Sequence, residues 1–245
     1  MKKTENHSLI AISGMSGAGK TSVSMELLKT MPNLVYFDFG AFFRPITFYL
    51  VKHKRISIEQ LRKIVQESKT DELMNKLNIG YRNHNGEYQI SINGNFFSWD
   101  DLYNPEMDKL TIEVGTCFGD SLNNYIGSII SEIRKSNPVL LNARRPFSVC
   151  KDISNHIFLK ASFYKRAERK SVLDKISLPK AREYLRARDE KERNAGFWEI
   201  HPFTKVIDTS NLEVPTTTQI IRDHILSYTI EPKEESQNRG QICIN

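Results

Sequence analysis

The chain has 245 residues, of which 26% are charged and 39% hydrophobic, a composition that suits a folded core and excludes bulk disorder. Lys and Arg outnumber Asp and Glu by 35 to 29, but no run of five basic residues occurs, so we expect a small phosphorylated ligand and no nucleic acid. The three cysteines lack CxxC spacing, so we expect no disulfide framework and no zinc site. No apolar stretch approaches the roughly 20 residues of a membrane helix, so we expect no membrane partner and a cytoplasmic location. We further expect a monomer or weak dimer.

Apolar runs and helical periodicity alternate along the chain and divide it into short strands and longer helices. In chain order they predict a strand at residues 9–12, a helix at 20–31, a strand at 34–37, helices at 42–51 and 57–67, a helix at 105–135, strands at 139–142 and 157–160, helices at 162–174 and 178–193, a strand at 206–208 and a helix at 216–226. Strands that alternate with helices imply an α/β fold whose mostly parallel sheet is covered on both faces.

The segment at residues 81–99 has a different pattern. Apolar and polar residues alternate, as in Tyr88-Gln89-Ile90-Ser91-Ile92, and Gly86 and the pair Asn93-Gly94 interrupt the alternation. Asn-Gly between alternating segments is typical of a β-hairpin. We therefore predict a small antiparallel insert here.

The junction between the first strand and the first helix carries a phosphate-binding motif. Residues 14–21 read GMSGAGKT, which satisfies the G-x-x-x-x-G-K-[ST] pattern of a P-loop. Glycines let successive backbone N–H groups point at phosphate oxygens, and the N-terminus of the following helix adds positive potential. Lys20 can reach the β and γ phosphates, and the Thr21 hydroxyl can ligate a metal ion.

We therefore expect ATP and Mg²⁺ as cofactors, although the motif does not separate ATP from GTP. Thr21 is the predicted metal ligand. The predicted cofactor-binding residues are Gly14, Met15, Ser16, Gly17, Ala18, Gly19, Lys20, Thr21 and Ser22.

Five stretches of the sequence resemble, in order and spacing, the cytidylate kinase family of nucleoside monophosphate kinases. They are IAISGMSGAGK at 10–20, DFGAFFR at 38–44, ING at 92–94 with NPE at 104–106, FLKAS at 158–162 with RAER at 166–169, and RDEKERN at 188–194 with VIDTS at 206–210. Together they extend over roughly residues 9–226.

The resemblance implies a P-loop NTPase-type three-layer fold with a five-stranded, mostly parallel sheet in the order 2-3-1-4-5, a small antiparallel insert in the acceptor-binding region and a helical lid. It implies a single P-loop kinase domain at 1–230, followed by a polar tail at 231–245 that we expect to be flexible. The core would comprise 8–56, 136–178 and 200–230, the acceptor-binding region with its insert about 57–135, and the lid about 179–197.

By the same resemblance, three arginines serve the reaction. Arg44 and Arg144 match residues that hold the acceptor's phosphate, and a planar guanidinium suits that task. Arg188 matches a lid arginine that neutralises charge on the transferring phosphoryl group. A structural ion pair is the alternative for each of them.

Asp38 completes the predicted catalytic set with Lys20 and Arg188. It ends the second strand, at the sheet edge where open α/β folds bind ligands. There it could hold a magnesium-bound water or the acceptor, or it could cap the next helix.

The acceptor site departs from the family pattern. The family reads cytosine with a Ser and an Arg where this chain has Ile112 and Ser121, and with an Asp where it has Arg145. Other departures are Phe39 for a Ser, Phe43 for a Tyr, Asn142 for an Asp near the metal and Ala195 for a lid Arg. A site that has lost its hydrogen-bonding groups no longer selects the base they read. We therefore expect Arg44, Arg144, Arg145, Phe39, Phe43 and Ile112 to form an acceptor site that fits CMP poorly.

Three functions are compatible with these residues. The first, which we favour, is an ATP-dependent kinase that moves the γ-phosphoryl group to a small, phosphorylated or nucleoside-like acceptor, with Arg44 and Arg144 favouring an anionic one. The second is a nucleoside monophosphate kinase for CMP, dCMP or UMP with altered base preference. The third is a non-catalytic nucleotide-binding protein, which the losses at Asn142 and Ala195 permit.

Overall fold

The computed structural model describes residues 7–31, 33–84, 87–194, 196–198 and 200–230. The predicted flexible tail at 231–245 and Ala195 therefore lie outside the described residues. In chain order the elements are β1 (Leu9–Gly14), α1 (Lys20–Thr30), β2 (Val35–Asp38), α2 (Phe39–Phe48), a π-helical segment (Tyr49–His53), α3 (Ile58–Gln66), α4 (Thr70–Lys76), β3 (Ile79–His84), β4 (Glu87–Ile92), α5 (Trp99–Leu102), α6 (Pro105–Ile133), β5 (Val139–Asn142), α7 (Pro146–Val149), β6 (Asn155–Lys160), α8 (Phe163–Leu173), α9 (Leu178–Asn194), β7 (Lys205–Asp208) and α10 (Val214–Ile230).

The strands form one sheet in the order β3-β4-β2-β5-β1-β6-β7. Strands β2, β5, β1, β6 and β7 pair in parallel, and numbered among themselves in chain order they read 2-3-1-4-5. The predicted five-stranded parallel sheet and its order are confirmed.

Alternate residues of the central strands pack on opposite faces of the sheet, which is why these strands read as continuous apolar runs. Leu9 and Ala11 of β1 belong to a buried cluster that includes side chains of α2, α3 and α6. Ile10 and Ile12 belong to a second cluster with side chains of α1 and α10. Helices on both faces give the three-layer fold that the alternation of elements predicts.

The antiparallel insert is confirmed as the hairpin of β3 and β4, in register from Ile79 opposite Ile92 to His84 opposite Glu87. It extends the main sheet, because Glu87 forms a parallel bridge with Tyr36 of β2. Asn93-Gly94 turns the chain after β4, with φ 51° and 77°, and does not join the two strands. The connection between β3 and β4 is at residues 85–86, outside the described residues.

Side-chain caps set the starts of two helices. Asp38 Oδ1 accepts a 2.8 Å hydrogen bond from the Ala41 N–H, so α2 begins at Phe39, three residues before the predicted start. Ser57 caps α3 in a reciprocal pair with Gln60, as its position in the sequence predicts.

The long helix α6 is bent at Gly119, whose φ of 50° and ψ of −129° are non-helical. The half before Gly119 carries Asp108 and Ile112 on its accessible side. The half after it carries Leu122 and Ile126 in the core.

Helices α8 and α9 pack through cations that lie over aromatic rings. Arg182 lies 5.3 Å from the Tyr164 ring, Arg186 lies 5.6 Å from the Phe163 ring, and Lys170 of α8 lies over Tyr184 of α9. In the described parts of the chain, no helix combines the length and apolarity needed to cross a membrane.

Candidate active site

The carboxyl ends of β2, β5 and β1 meet at one edge of the sheet, the edge where open α/β sheets bind ligands. Asp38 of β2 is in register with Asn142 of β5, and Asn142 is in register with Ile12 of β1, two residues before Gly14. The P-loop, the two strand-end polar residues and the loop that carries Arg144 therefore start from neighbouring points.

The P-loop leaves β1 through a backbone conformation that suits glycine. Gly14 has φ 134°, and a Cβ there would lie 2.0 Å from the Leu159 carbonyl oxygen of β6. Gly19, with φ 96°, is the N-cap of α1, and nothing in the described structure lies within 4 Å of where its Cβ would be. The loop thus runs tightly along β6 and leaves space at the N-terminus of α1, whose first N–H groups have no intrahelical acceptor and suit a phosphate.

Lys20 lies folded against its own loop. Its Nζ donates hydrogen bonds to the carbonyls of Gly14 at 2.8 Å and Met15 at 2.9 Å. Burial, followed by the positive charge of Arg144, holds the pKa of Lys20 well below its ordinary value, while Glu192 opposes the shift. A polyphosphate would supply a negative counter-charge next to this ammonium group.

Arg144 and Arg188 meet on one buried carboxylate, that of Glu192, which is 2% exposed. Oε1 of Glu192 accepts a 2.7 Å hydrogen bond from Arg188 Nε and forms a 2.7 Å ion pair with Arg144 Nη1. Oε2 accepts a 3.2 Å hydrogen bond from Trp198 Nε1. Glu192 is not among the predicted site residues, because its main sequence signal is a four-residue spacing from Arg188 within a highly charged helix.

The charges of this group depend on one another. Burial by itself would raise the pKa of Glu192, but Arg144 and Arg188 outweigh it and lower that pKa, so the carboxylate stays ionised. Burial would lower the pKa of Arg188, and the hydrogen bond to Glu192 raises it instead. Two guanidinium groups around one carboxylate leave the group with net positive charge, which suits an anionic ligand.

A buried arginine, Arg166, connects the P-loop to α9. Arg166 of α8, 3% exposed, forms a bidentate pair with Asp189 at 2.8 and 2.7 Å and donates to the Ser16 carbonyl at 3.2 Å. Charge-assisted bidentate bonds of this kind fix orientation as well as distance. Arg166 and Asp189 therefore set the place of α9 relative to the P-loop, a role that the sequence did not indicate.

Asp38 is held on both of its carboxylate oxygens. Oδ1 caps α2, while Oδ2 accepts hydrogen bonds from Tyr36 Oη at 2.9 Å and from Asn142 Nδ2 at 2.7 Å. Asn142 Nδ2 also donates to Tyr36 Oη at 2.9 Å. The helix-capping alternative for Asp38 is confirmed, and a role toward magnesium or the acceptor stays a prediction.

Arg44 is engaged by protein groups. It donates to the Leu102 carbonyl at 2.8 Å, pairs with Asp108 at 2.5 Å and lies 4.6 Å from the centre of the Tyr103 ring. This is the structural ion pair that the sequence left open as the alternative. An acceptor phosphate at Arg44 has to compete with the carboxylate of Asp108.

The remaining predicted acceptor residues differ in exposure. Phe43 is 2% exposed and belongs to the core, with its ring centre 6.3 Å from that of Phe39, which is half-buried at the start of α2. Ile112 is 51% exposed on α6, and Arg145 is exposed before α7. Phe39, Ile112 and Arg145 are accessible to a ligand, whereas Phe43 acts through its packing.

The predicted metal ligand is accessible. Thr21 and Ser22 are exposed in the first turn of α1. Within the ranges that the structure describes, no group of three or more His, Cys, Asp or Glu side chains is arranged to hold a metal ion. The exposed Thr21 hydroxyl is an oxygen donor of the kind that could ligate Mg²⁺.

Known proteins are similar to this chain in sequence, and solved structures align with it. The family model described as cytidylate kinase matches residues 10–229. A bifunctional pantoate ligase/cytidylate kinase of Prochlorococcus marinus (strain MIT 9312) is 25% identical over 240 residues, which cover 86% of this chain and 44% of that protein, so the chain spans less than half of that relative's length. A cytidylate kinase of Fervidobacterium nodosum is 26% identical over 225 residues, with 89% of this chain and 95% of that protein covered. A solved thymidylate kinase of Candida albicans aligns with a TM-score of 0.46 and 11% identity, covering 91% of this chain and 93% of that one.

Proposed function

This chain belongs to the cytidylate kinase family, and from that premise we propose that it is an ATP-dependent P-loop kinase acting on a small, anionic or nucleoside-like acceptor other than CMP. The observation that carries the proposal is the convergence of three cations on the P-loop: Lys20 and Arg144 both donate to the Gly14 carbonyl, and Arg144 and Arg188 share the Glu192 carboxylate. Phosphoryl transfer is accelerated mainly by cations that neutralise charge on the transferring group, and these three come from three different elements.

On the donor side, the N–H groups of residues 14–21 and Lys20 bind the β and γ phosphates. Lys20 exchanges the carbonyls of Gly14 and Met15 for phosphate oxygens, which restores a counter-charge to its buried ammonium group. The Thr21 hydroxyl would hold Mg²⁺, which would supply positive charge that stabilises the phosphates. We propose ATP, rather than GTP, as the phosphoryl donor.

We assign the regions as the resemblance implies, with the core at 8–56, 136–178 and 200–230, the acceptor-binding region at about 57–135 and the lid at about 179–197. Lid and core each contribute a catalytic residue. Arg188 acts from the lid on the phosphoryl group. Asp38 acts from the strand end through Oδ2, on a water or on the acceptor. If Asp38→Asn kept full Mg²⁺-dependent activity, this role of Asp38 would be wrong.

On the acceptor side, two features argue against CMP. Ile112 is exposed where, by resemblance, a cytosine-reading hydroxyl belongs, and an apolar side chain leaves polar groups of the base unpaired. Arg145, accessible before α7, replaces a carboxylate that accepts hydrogen bonds with a group that only donates them. An acceptor with its own anionic or hydrogen-bond-accepting groups and a ring that packs on Phe39 fits these residues better.

The test is phosphotransfer from ATP with Mg²⁺, followed by ADP release and by mass spectrometry of the acceptor. The panel contains ribo- and deoxynucleoside monophosphates, nucleosides and small phosphorylated metabolites. We expect turnover of at least one acceptor at a higher kcat/KM than CMP, and its loss in Lys20→Met but not in the exposed control Lys29→Met. Faster turnover of CMP than of every other acceptor would refute the acceptor assignment.

A nucleoside monophosphate kinase with altered base preference is the second candidate, favoured by the match over 89% of this chain to a protein named cytidylate kinase. Turnover of UMP or dCMP above all non-nucleotide acceptors would support it. ATP binding without phosphotransfer to any member of the panel would point to a non-catalytic nucleotide-binding protein.

A further inference from the structure

We propose that Glu192 is a positioning residue that holds Arg144 and Arg188 as one unit over the P-loop. The inference rests on the proposed kinase function and adds a residue to it. Glu192 accepts from Arg188 and pairs with Arg144 through the same oxygen, both at 2.7 Å. It thereby connects the sheet edge after β5 to the lid helix.

The burial of Glu192 distinguishes it from the other acidic residues of α9. Its side chain is 2% exposed, whereas Glu183 and Glu190 of the same helix are exposed. A buried carboxylate is unfavourable unless charged partners and hydrogen bonds compensate it, and here two guanidinium groups and the Trp198 indole do so. A surface ion pair that formed only by chance in a charged helix would not be desolvated in this way.

The arginines keep donors for a ligand while they are held. Each guanidinium has five N–H donors. In the described structure, Arg188 gives Nε to Glu192 and Nη1 to Tyr184 Oη at 3.4 Å, and Arg144 gives Nη1 to Glu192 and to the Gly14 carbonyl. Among the described residues, no protein group contacts the remaining nitrogens of the two guanidinium groups. An anion can therefore bind them while Glu192 keeps its contacts with Arg144 and Arg188.

Glu192 also counters repulsion within the site. Arg144 and Arg188 each lower the pKa of Lys20, while Glu192 raises it, so the carboxylate offsets the mutual repulsion of three cations. Without it, the lid arginine would be repelled from the position that it occupies. Asp189, the neighbouring carboxylate on α9, cannot replace it, because Asp189 is paired with Arg166.

The kinetic test uses Glu192→Gln, which keeps the shape and removes the charge. Misplaced catalytic groups cost on the order of 10- to 100-fold in rate, so we expect kcat to fall by that factor. Loss of a negative charge does not weaken attraction for a polyphosphate, so KM for ATP stays equal or falls. Glu192→Asp restores the charge on a shorter side chain and recovers part of kcat, and the matched control Glu190→Gln on the same helix has wild-type kinetics.

A wild-type kcat in Glu192→Gln would overturn the inference, as would a rise in KM for ATP with kcat unchanged. Far-UV circular dichroism and thermal unfolding of each variant show whether it folds. If Glu192→Gln does not fold, Glu192→Asp takes its place: the shorter side chain withdraws the carboxylate from both arginines, so we expect kcat below wild type, and a wild-type kcat would overturn the inference.

A second measurement is independent of catalysis and separates failure of this inference from failure of the proposed function. Nitrogen-15 spectra of the wild-type protein report the Arg188 Nε–H, assigned with Arg188→Lys. We expect it to exchange slowly with water, and to exchange faster in Glu192→Gln but not in Glu190→Gln. Fast exchange in the wild type would overturn the inference, whereas slow exchange in a protein that phosphorylates no acceptor would refute the proposed function alone.

Discussion

The side-chain amide of Asn142 donates a 2.7 Å hydrogen bond to Asp38 Oδ2, across the carboxyl ends of two neighbouring parallel strands. The same amide nitrogen donates to Tyr36 Oη, which itself donates to Asp38 Oδ2. Two aspartates could not form this arrangement without sharing a proton or repelling each other. The amide at position 142 thus supplies a hydrogen-bond donor to Asp38 Oδ2, where a second carboxylate would bring only acceptors.

We expect Asn142→Asp to destabilise the protein at neutral pH by about 1–3 kcal/mol, because two carboxylates at hydrogen-bonding distance repel each other. The folded pair retains a proton that the unfolded chain releases, so the loss is small near pH 4–5 and grows as the pH rises. Urea denaturation at pH 5 and pH 8 measures this. Asn75→Asp, at an exposed position of α4, is the control, and an equal effect of both variants would contradict the prediction.

Asp108→Asn should strengthen anion binding at Arg44. In the wild type Asp108 occupies the guanidinium at 2.5 Å, and a partly exposed ion pair of this kind contributes up to about 1 kcal/mol, so its removal should tighten binding of inorganic phosphate by up to about fivefold. Calorimetric titration with phosphate tests this, with Glu113→Gln, whose partner is Lys109 on the same helix, as control. Unchanged affinity in Asp108→Asn would show that Arg44 is structural and does not bind the acceptor.

Gly14→Ala should be severely destabilising. Its Cβ would lie 2.0 Å from the Leu159 carbonyl oxygen, and φ is 134°, so β1 and β6 would have to separate at a cost of about 3 kcal/mol or more. Gly94→Ala shares a positive φ of 77° but has open space at its Cβ within the described structure, so it should cost about 1 kcal/mol. Urea denaturation compares the two, and similar losses would mean that the close approach to β6 relaxes freely.

His156 should make stability depend on pH. Burial, with a smaller contribution from His201, lowers its pKa to about 4, and its ring nitrogens contact Ser13 Oγ and Thr204 Oγ1 at 2.8 Å each. Between about pH 6.5 and 4 the unfolded chain binds a proton that the folded one does not. The free energy of unfolding therefore decreases by up to about 3 kcal/mol as the pH is lowered through that window.

His156→Gln should remove this part of the pH dependence, although it also lowers stability at pH 7.5 by disturbing the two hydrogen bonds. Free energies of unfolding at pH 7.5 and 4.5 give the difference for each protein. His53→Gln, at an exposed position, should keep the wild-type dependence. An unchanged slope in His156→Gln would show that other groups cause it.

The sequence predicted those parts of the fold and site that depend on local patterns. The P-loop follows from glycine spacing at a strand–helix junction, and the parallel core from apolar runs that alternate with helices. Ser57 could be identified as a helix cap because capping is a contact between near neighbours in sequence. The short helices α4, α5 and α7, with 7, 4 and 4 residues, are too brief to show a helical period.

The unpredicted parts depend on contacts between distant residues. Arg44 contacts Asp108, which is 64 positions away in the sequence, and Arg144 contacts Glu192 of a different element. Helical or strand periodicity predicts no contact between residues so far apart. Glu192 and Glu190 are equivalent in composition and propensity, and burial alone separates them. Asp38 carried two interpretations because one carboxylate can cap a helix with one oxygen and face the strand end with the other.

The bend at Gly119 has a consequence for how this protein can change over generations. The helical register is broken at Gly119, so Ile112 lies in a different segment of α6 from Leu122 and Ile126. Side chains of the first segment can change without shifting Leu122 and Ile126, which pack in the core. Substitutions on the accessible side of α6 before the bend should therefore change that surface at little cost to the packing of the core. The first half of α6 can thus vary in sequence while the second half keeps its place in the core.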